Sequence, residues 1–314
     1  MPALQDLGRR TRQLRNLVEP IAAAVFFVPE AHDAYVRLGF PPPQGTEDGI
    51  PLFDWGAYFV SRAACMGQLH GAVVAAAFGV FEPTWVAHEI AQGWTRTDPT
   101  TMLSARQQSA VTALARLLGG VPPGVERATA VLQRGLAAVS AAGKPVFAGL
   151  RALDWPGTPL GDLWRACDLY REHRGDAHVT SWTSYGLTGC EACIINDLHQ
   201  GLRLGSYVRT RGWSCQEVAT AVAALRQRGW LDGDHCSPAG RAAREAMETR
   251  TDTQQRPILA AIGEDFDELV ALLTPWRNAI IAGHGYPGRA FVERQGERAT
   301  QADQQAKPCQ TGWA

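Results

Sequence analysis

Apolar residues along this chain recur at three- and four-residue spacing and almost nowhere alternate one by one. That pattern permits helices and leaves little room for half-buried strands. Residues 11–27 read as a helix entering the fold. The Ala-rich, apolar stretch 55–81 keeps helical spacing, and 104–118 forms a further helix stopped by Gly119-Gly120 and Pro122-Pro123. Residues 128–142 are amphipathic. The prolines at 41–43 cannot continue a helix, so 40–52 reads as a loop. The Pro- and Gly-rich segment 154–164 marks a domain boundary, beyond which helices dominate to about Ala282. The expected architecture is mainly α, with two packed helical halves (1–153 and 154–285). A polar, Gln-rich tail over 286–314 is expected to be disordered.

Composition narrows the function. The chain has 314 residues and 46% hydrophobic residues, enough to bury two cores of ordinary size. Its 30 Lys and Arg balance 31 Asp and Glu, so it lacks the basic excess from which most dedicated nucleic-acid binders draw their affinity. The seven cysteines, at 65, 167, 190, 193, 215, 236 and 309, are odd in number and scattered. That pattern argues against a disulfide framework and for a reducing cytoplasm. Neither a signal peptide nor a membrane span is expected, since the most apolar stretch, 71–81, is too short to cross a bilayer.

The clearest local pattern lies at 186–241. A turn and an amphipathic helix (186–198) are followed by a short second helix at 204–210 and a turn at Arg211-Gly212-Trp213. Ser214 then precedes Glu217 by the capping-box spacing. The following helix carries Val218, Val222 and Leu225 on one face. Gly229 ends it, and Trp230-Leu231 leads through Asp232-Gly233-Asp234 to 236–242. Helix, turn, helix, short hairpin and new helix is the winged helix-turn-helix order, here with a short wing. Over about 160–282 the chain resembles the MarR family of ligand-responsive regulators. The matching pieces are Gly186-Leu187-Thr188 with Glu191, Leu225 with 228–231, and Ser237-Pro238-Ala239-Gly240-Arg241. As a whole it is similar to an actinobacterial MarR-like family recognised by Glu-His-Arg-Gly-Asp-x-His, here 172–178. The segments Phe26-Phe27-x-Pro29-Glu30 and Arg62-Ala63-Ala64 fit that family too. The resemblance implies a winged helix, dimerisation helices after Arg241, and a small anionic or aromatic ligand.

An internal echo points to duplication. Gly56, Val60, Gly67, Gly93 and Trp94 recur as Gly175, Val179, Gly186, Gly212 and Trp213, each 119 residues later. Two related halves would make a single-chain pseudo-dimer, the alternative being an ordinary homodimer; chance explains five identities equally simply.

The elements that should read DNA are poor in cations. The turns that would read bases, 214–220, contain no Lys or Arg, and the wing is Asp232-Gly233-Asp234-His235. Between 190 and 250 eight Arg face seven Asp and Glu. Under a DNA-binding reading, Arg203, Arg209 and Arg211 would touch phosphates and Gln216 a base. Otherwise the winged helix is retained as a scaffold.

At 100° per residue, Leu163, Ala166, Cys167, Tyr170, Ala177, Trp182 and Tyr185 share one arc. Arg174 and His178 fall inside it. Glu172 and Asp176 fall opposite, with His173 at the edge. An interior Arg174 needs a partner or an anionic ligand. The functional reading makes Arg174 an anion clamp, with Glu172, Arg62 and Tyr58 completing a ligand site. His178, His173 and Asp176 would be acid/base candidates for an enzyme of a specialised pathway. The plain alternative is a buried salt-bridge network joining the halves. His173 and His178 lie five apart and cannot share one ion as a His-x3-His pair does, so no metal and no cofactor are expected. Cys190-x-x-Cys193 sits within an amphipathic helix, where core cysteines are expected instead of a redox pair. The leading expectation is a small-molecule-binding protein whose DNA-reading surface has degenerated. The alternative is a ligand-responsive transcriptional regulator, and a third reading is an interaction scaffold.

Overall fold

The computed structural model describes residues 2–306. Its helices run from α1 (Pro2–Ala23) through α2 (Pro29–Arg37), α3 (Trp55–Ala63), α4 (Gly71–Phe78), α5 (Pro83–Gly93), α6 (Pro99–Leu118), α7 (Val125–Ala137) and α8 (Pro145–Arg151) to the long α9 (Pro159–Thr183). Then follow α10 (Gly189–His199), α11 (Cys215–Gln227), α12 (Pro238–Gln254), α13 (Arg256–Ile262), α14 (Phe266–Ala282) and α15 (Arg289–Ala306). The fold is mainly α, and the described strands make only two small antiparallel hairpins. One joins β1 (Thr46–Glu47) to β2 (Ile50–Pro51) inside the segment expected to be a plain loop. Its turn, Asp48-Gly49, has positive φ at both residues, which suits the twist of a two-residue hairpin. The other joins β3 (Leu231–Asp232) to β4 (His235–Cys236), with Leu231 opposite Cys236.

Local chemistry sets most helix starts. α2, α5, α6, α8, α9 and α12 each begin on a proline, whose missing N–H costs nothing in the first turn. Thr188 with Glu191 and Ser214 with Glu217 form complete capping boxes on α10 and α11. The stretch 55–81 is not one helix. Gly67, at φ +83°, breaks it after a 3-10 turn at Ala64–Met66. The expected second helix of the helix-turn-helix is a 3-10 segment, Tyr207–Arg211, ended by left-handed Gly212.

Two hydrophobic clusters hold these elements. The larger runs from Leu14 to Tyr170 and takes in Ile258, Ile262, Phe266, Leu269, Leu273, Trp276 and Ile280 from α13 and α14, so it draws on both sides of position 153/154. The smaller gathers α10, α11, both strands of the β3–β4 hairpin and Met247 of α12. The tail is not irregular throughout: α15 packs on the Tyr207–Arg211 segment, where a Cβ on Gly296 would lie only 3.0 Å from the Tyr207 backbone nitrogen. Residues 307–314 lie outside the described residues.

α9 is the axis of the molecule. α1, α6, α7, α8 and α12 all pack against it. Of the expected arc, Leu163, Ala166, Cys167, Tyr170, Ala177 and Trp182 are buried, whereas Tyr185 lies past the end of α9 and is half-buried. So are Asp168, Glu172, His173 and Asp176 on the other sides, where the apolar arc alone left them outside. A helix enclosed all round cannot place its charges in solvent, so each must find a partner in a neighbouring helix.

Candidate functional site

The charges of α9 are met one by one. Glu172 receives Arg62 of α3 through two hydrogen bonds, Nε to Oε1 at 2.9 Å and Nη2 to Oε2 at 2.7 Å, and is also paired with Arg171. Burial alone would raise the Glu172 carboxyl, but Arg62 and Arg171 overcome it and hold it at about 2. Arg62 lies over the Phe78 ring at 4.3 Å. Arg174 donates to Asp252 Oδ1 at 3.0 Å and to Glu248. Glu248 also receives Arg244 at 2.7 Å and Arg15 at 3.1 Å. Its burial is likewise outweighed, by Arg244 and Arg174, and its carboxyl stands at about 2. Arg62 and Arg174 each already hold carboxylates of this chain.

The two histidines and Asp176 have different surroundings. His173 Nδ1 lies 3.0 Å from Gln255 Oε1, and its ring meets Phe147 edge-on at 4.9 Å. His178 Nδ1 lies 3.4 Å from Thr251 Oγ1. Burial pushes both imidazoles down to about 4. Asp176 accepts the Phe147 N–H at 3.0 Å, at the start of α8. Burial pushes its carboxyl up to about 7, against that hydrogen bond. Neither Glu172 nor Asp176 orients His173.

Several partners escaped the sequence reading. Arg244, Glu248, Thr251, Asp252 and Gln255 form one stripe at helical spacing along α12 and its end, turned toward α9 and buried throughout. The i, i+4 pairs 244/248 and 248/252 were the available signal, but a charged helical stripe by itself reads as a solvated face. A second buried pair joins Arg106 of α6 to Asp168, at 2.7 and 3.1 Å.

A cavity of about 360 Å³ opens beside this network. Arg62, Glu172, Arg174, Gly175 and His178 line it, together with Arg15, Arg244 and Glu248. Gly175 is not needed for close packing: a Cβ there would come no nearer than 3.6 Å, to Glu172 Oε2. Tyr58, expected in the same site, instead lines a second, aromatic cavity and stacks on Phe53 at 5.5 Å. His173 and Asp176 line neither cavity.

The helix-turn-helix region has a neutral outer face. On α11 the exposed residues are Gln216, Thr220, Ala223 and Gln227. Glu217 is occupied by its capping box. Arg228 turns back to the carbonyls of Tyr185 and Gly186 at 3.1 and 3.0 Å. Asp232, Asp234 and His235 are exposed at the hairpin, where Arg226 stands 3.8 Å from Asp234. Of the cations considered for DNA, Arg203 is exposed and Arg209 reaches the Cys215 sulfur at 2.8 Å. Arg211 faces inward, 4.9 Å from the centroids of Phe81 and Tyr207. Cys190 and Cys193 are buried in α10, and burial pushes the Cys190 thiol up to about 12, the reverse of a redox cysteine. Among the described residues no group of three or more His, Cys, Asp or Glu is placed to hold a metal ion, and no helix is long and apolar enough to cross a membrane.

A mainly helical chain in which capped α10, the 3-10 segment Tyr207–Arg211, a turn at Gly212 and capped α11 are followed by a short hairpin has the element order of the helix-turn-helix class. The chain belongs to a helix-turn-helix family, whose model matches residues 11–287. No curated protein and no solved structure matches it.

Proposed function

We propose that this helix-turn-helix protein binds a small anionic or aromatic molecule in its interior and does not read DNA sequence with α11. One observation carries the reading: the exposed face of α11 has no cation, whereas in the cavity beside α9 five arginines (Arg15, Arg62, Arg171, Arg174 and Arg244) outnumber the three lining carboxylates Glu19, Glu172 and Glu248. Groove reading requires donors and positive charge on the presented helix, and a carboxylate-bearing wing repels phosphate. Gly175, kept in the middle of a buried helix with room for a Cβ, leaves space on the cavity side for a ligand to approach. A histidine held neutral at pH 7 favours hydrogen bonding by His178 over proton transfer, so binding stands ahead of catalysis. The MarR-like resemblance supports a winged-helix scaffold with an interior ligand. From α3 to Trp94 the order is helix, positive-φ glycine, two helices and Gly-Trp; from α9 to Trp213 it is helix, positive-φ glycine, helix, 3-10 segment and Gly-Trp, a likeness that a duplicated pseudo-dimer would produce.

Membership of the helix-turn-helix family favours a second reading, a transcriptional regulator that answers to the ligand. Two measurements separate them. A thermal-shift screen of small anionic and aromatic molecules, run on wild type beside Arg174→Ala and His178→Ala, should give shifts in wild type that the folded variants lose. An electrophoretic DNA-binding assay at two salt concentrations should show only weak, salt-sensitive association. Tight, sequence-dependent binding would establish the regulator instead.

A further inference from the structure

Glu19 and Arg171 stand between the arginine-lined cavity and a second one of about 210 Å³, and line both. The second cavity has a different chemistry. Phe27, Phe53, Tyr58, Tyr207, Tyr286 and Phe291 line it. Their rings meet largely edge to face, as Phe27 does with Phe53 and with Tyr286, each at 5.7 Å. Flat apolar faces around a small volume select a flat guest of one or two rings.

Two guanidinium groups reach this cavity, and they differ. Arg171 is neutralised by Glu19 at 3.0 Å and by Glu172. Arg211 has the Tyr207 hydroxyl at 3.2 Å and the ring faces of Phe81, Tyr207 and Trp55, but no carboxylate within ion-pair distance among the described residues. Every other arginine near the cavities has a carboxylate: Arg15, Arg62, Arg171, Arg174 and Arg244 are all paired. Ring faces replace only part of the hydration a guanidinium loses, and the buried carboxylate of Asp197 acts on Arg211 only from beyond ion-pair distance, so a cation held there without an anion in contact is costly. The backbone keeps it in place: the Arg211 carbonyl accepts the Glu82 N–H at 2.9 Å, and Trp213 Nε1 donates to the Val80 carbonyl at 3.0 Å.

We propose that the aromatic cavity is a second ligand site, for a planar aromatic carboxylate, with Arg211 as its counter-ion. The rings of Phe53 and Tyr58 supply the faces, and the free donors of Arg211 take the carboxylate. The guanidinium is planar and offers paired donors, which suits a carboxylate better than a neutral hydroxyl. The site stands apart from the arginine-lined cavity and survives if no ligand binds there.

The test uses the full chain and two probes of the same shape, 2-naphthoate and 2-naphthalenemethanol, titrated by calorimetry. Wild type should bind the carboxylate about tenfold or more tighter than the alcohol, as expected for a charge-assisted hydrogen bond. Arg211→Met should remove that preference, Arg211→Lys should keep most of it, and Arg174→Ala should leave it unchanged. Equal affinity for the two probes in wild type, no naphthoate binding, or an intact preference in folded Arg211→Met would overturn the proposal. If Arg211→Met does not fold, the wild-type comparison and Arg211→Lys still decide. Loss of the preference in Arg174→Ala alone would place the anion in the other cavity and overturn the assignment to Arg211.

Discussion

Arg62 on α3 and Glu172 on α9 are joined by two parallel hydrogen bonds of 2.9 and 2.7 Å, with the carboxylate wholly enclosed. Removing either partner leaves a buried charge without its complement. Glu172→Gln should therefore cost about 3–5 kcal/mol in urea unfolding. Arg62→Met together with Glu172→Gln should cost less than the sum of the single changes, since neither charge is then left alone. Strict additivity would show that the pair is not coupled.

On acidification the buried histidines and the salt-bridged glutamates should lose their contributions to stability in two stages. His173 and His178 sit at about 4 in the fold, below the ordinary histidine value. The unfolded chain takes up their protons first, so their contribution is lost as pH falls from about 6.5 to 4, opposed over the same range by Asp176 and Asp197, both raised by burial to about 7. Glu172 and Glu248, held at about 2, contribute stability that is present above about 4.5 and is lost as pH falls toward 2. Unfolding free energies measured across pH 8 to 3 should show the first stage shrink in a His173→Gln, His178→Gln double variant.

Asp176 works in the opposite sense. Its folded value, about 7, lies above the ordinary carboxylate value, so the folded form holds a proton that the unfolded form releases. Its ionisation destabilises the fold increasingly as pH rises from about 4 to 7. Asp176→Asn keeps an acceptor for the Phe147 N–H and removes the charge. The variant should be more stable than wild type at pH 8, by an amount on the order of 3 kcal/mol, and equal to it below pH 4. A stability gap independent of pH would refute this account.

Two glycine substitutions should act in opposite directions. A Cβ on Gly189 would fall 2.1 Å from the Gly79 carbonyl oxygen, where the start of α10 meets the end of α4, so Gly189→Ala should destabilise by about 1–3 kcal/mol. Gly175→Ala meets nothing closer than 3.6 Å and should stabilise the helix by about 0.5–1 kcal/mol. Thermal midpoints read both, and a ligand of the arginine-lined cavity should lose affinity in Gly175→Ala.

Charge placed on α11 should create what the native face lacks. Gln216→Lys with Thr220→Lys changes two exposed positions and should leave stability within about 0.5 kcal/mol. Non-specific DNA affinity should rise, and the slope of log affinity against log salt should steepen by about 0.9 for each phosphate newly touched. Fluorescence anisotropy with a random duplex measures it. A steep slope already present in wild type would show that DNA is held by another surface.

The sequence by itself determined the features that depend on neighbours along the chain. The mainly helical fold, the capping boxes at Thr188/Glu191 and Ser214/Glu217, the short hairpin after Leu231 and the uncharged face of α11 all follow from spacings of two to four residues. It also identified α9 as carrying an arginine and a histidine inward. Only the tertiary structure decided where the other charges went. An apolar arc shows which side of a helix is buried first, but not whether further helices close over the remainder. On α9 they do, so Glu172, His173 and Asp176 are interior too. Their partners and those of Arg174 come from α3, α8 and α12 and from Gln255 just beyond it, up to 82 residues ahead in the chain and 110 behind, separations at which no local periodicity constrains the pairing. Arg211 shows the same limit. Its neighbours in sequence suggested a phosphate contact, and the fold turned it against the rings of Phe81 and Tyr207, inside the protein.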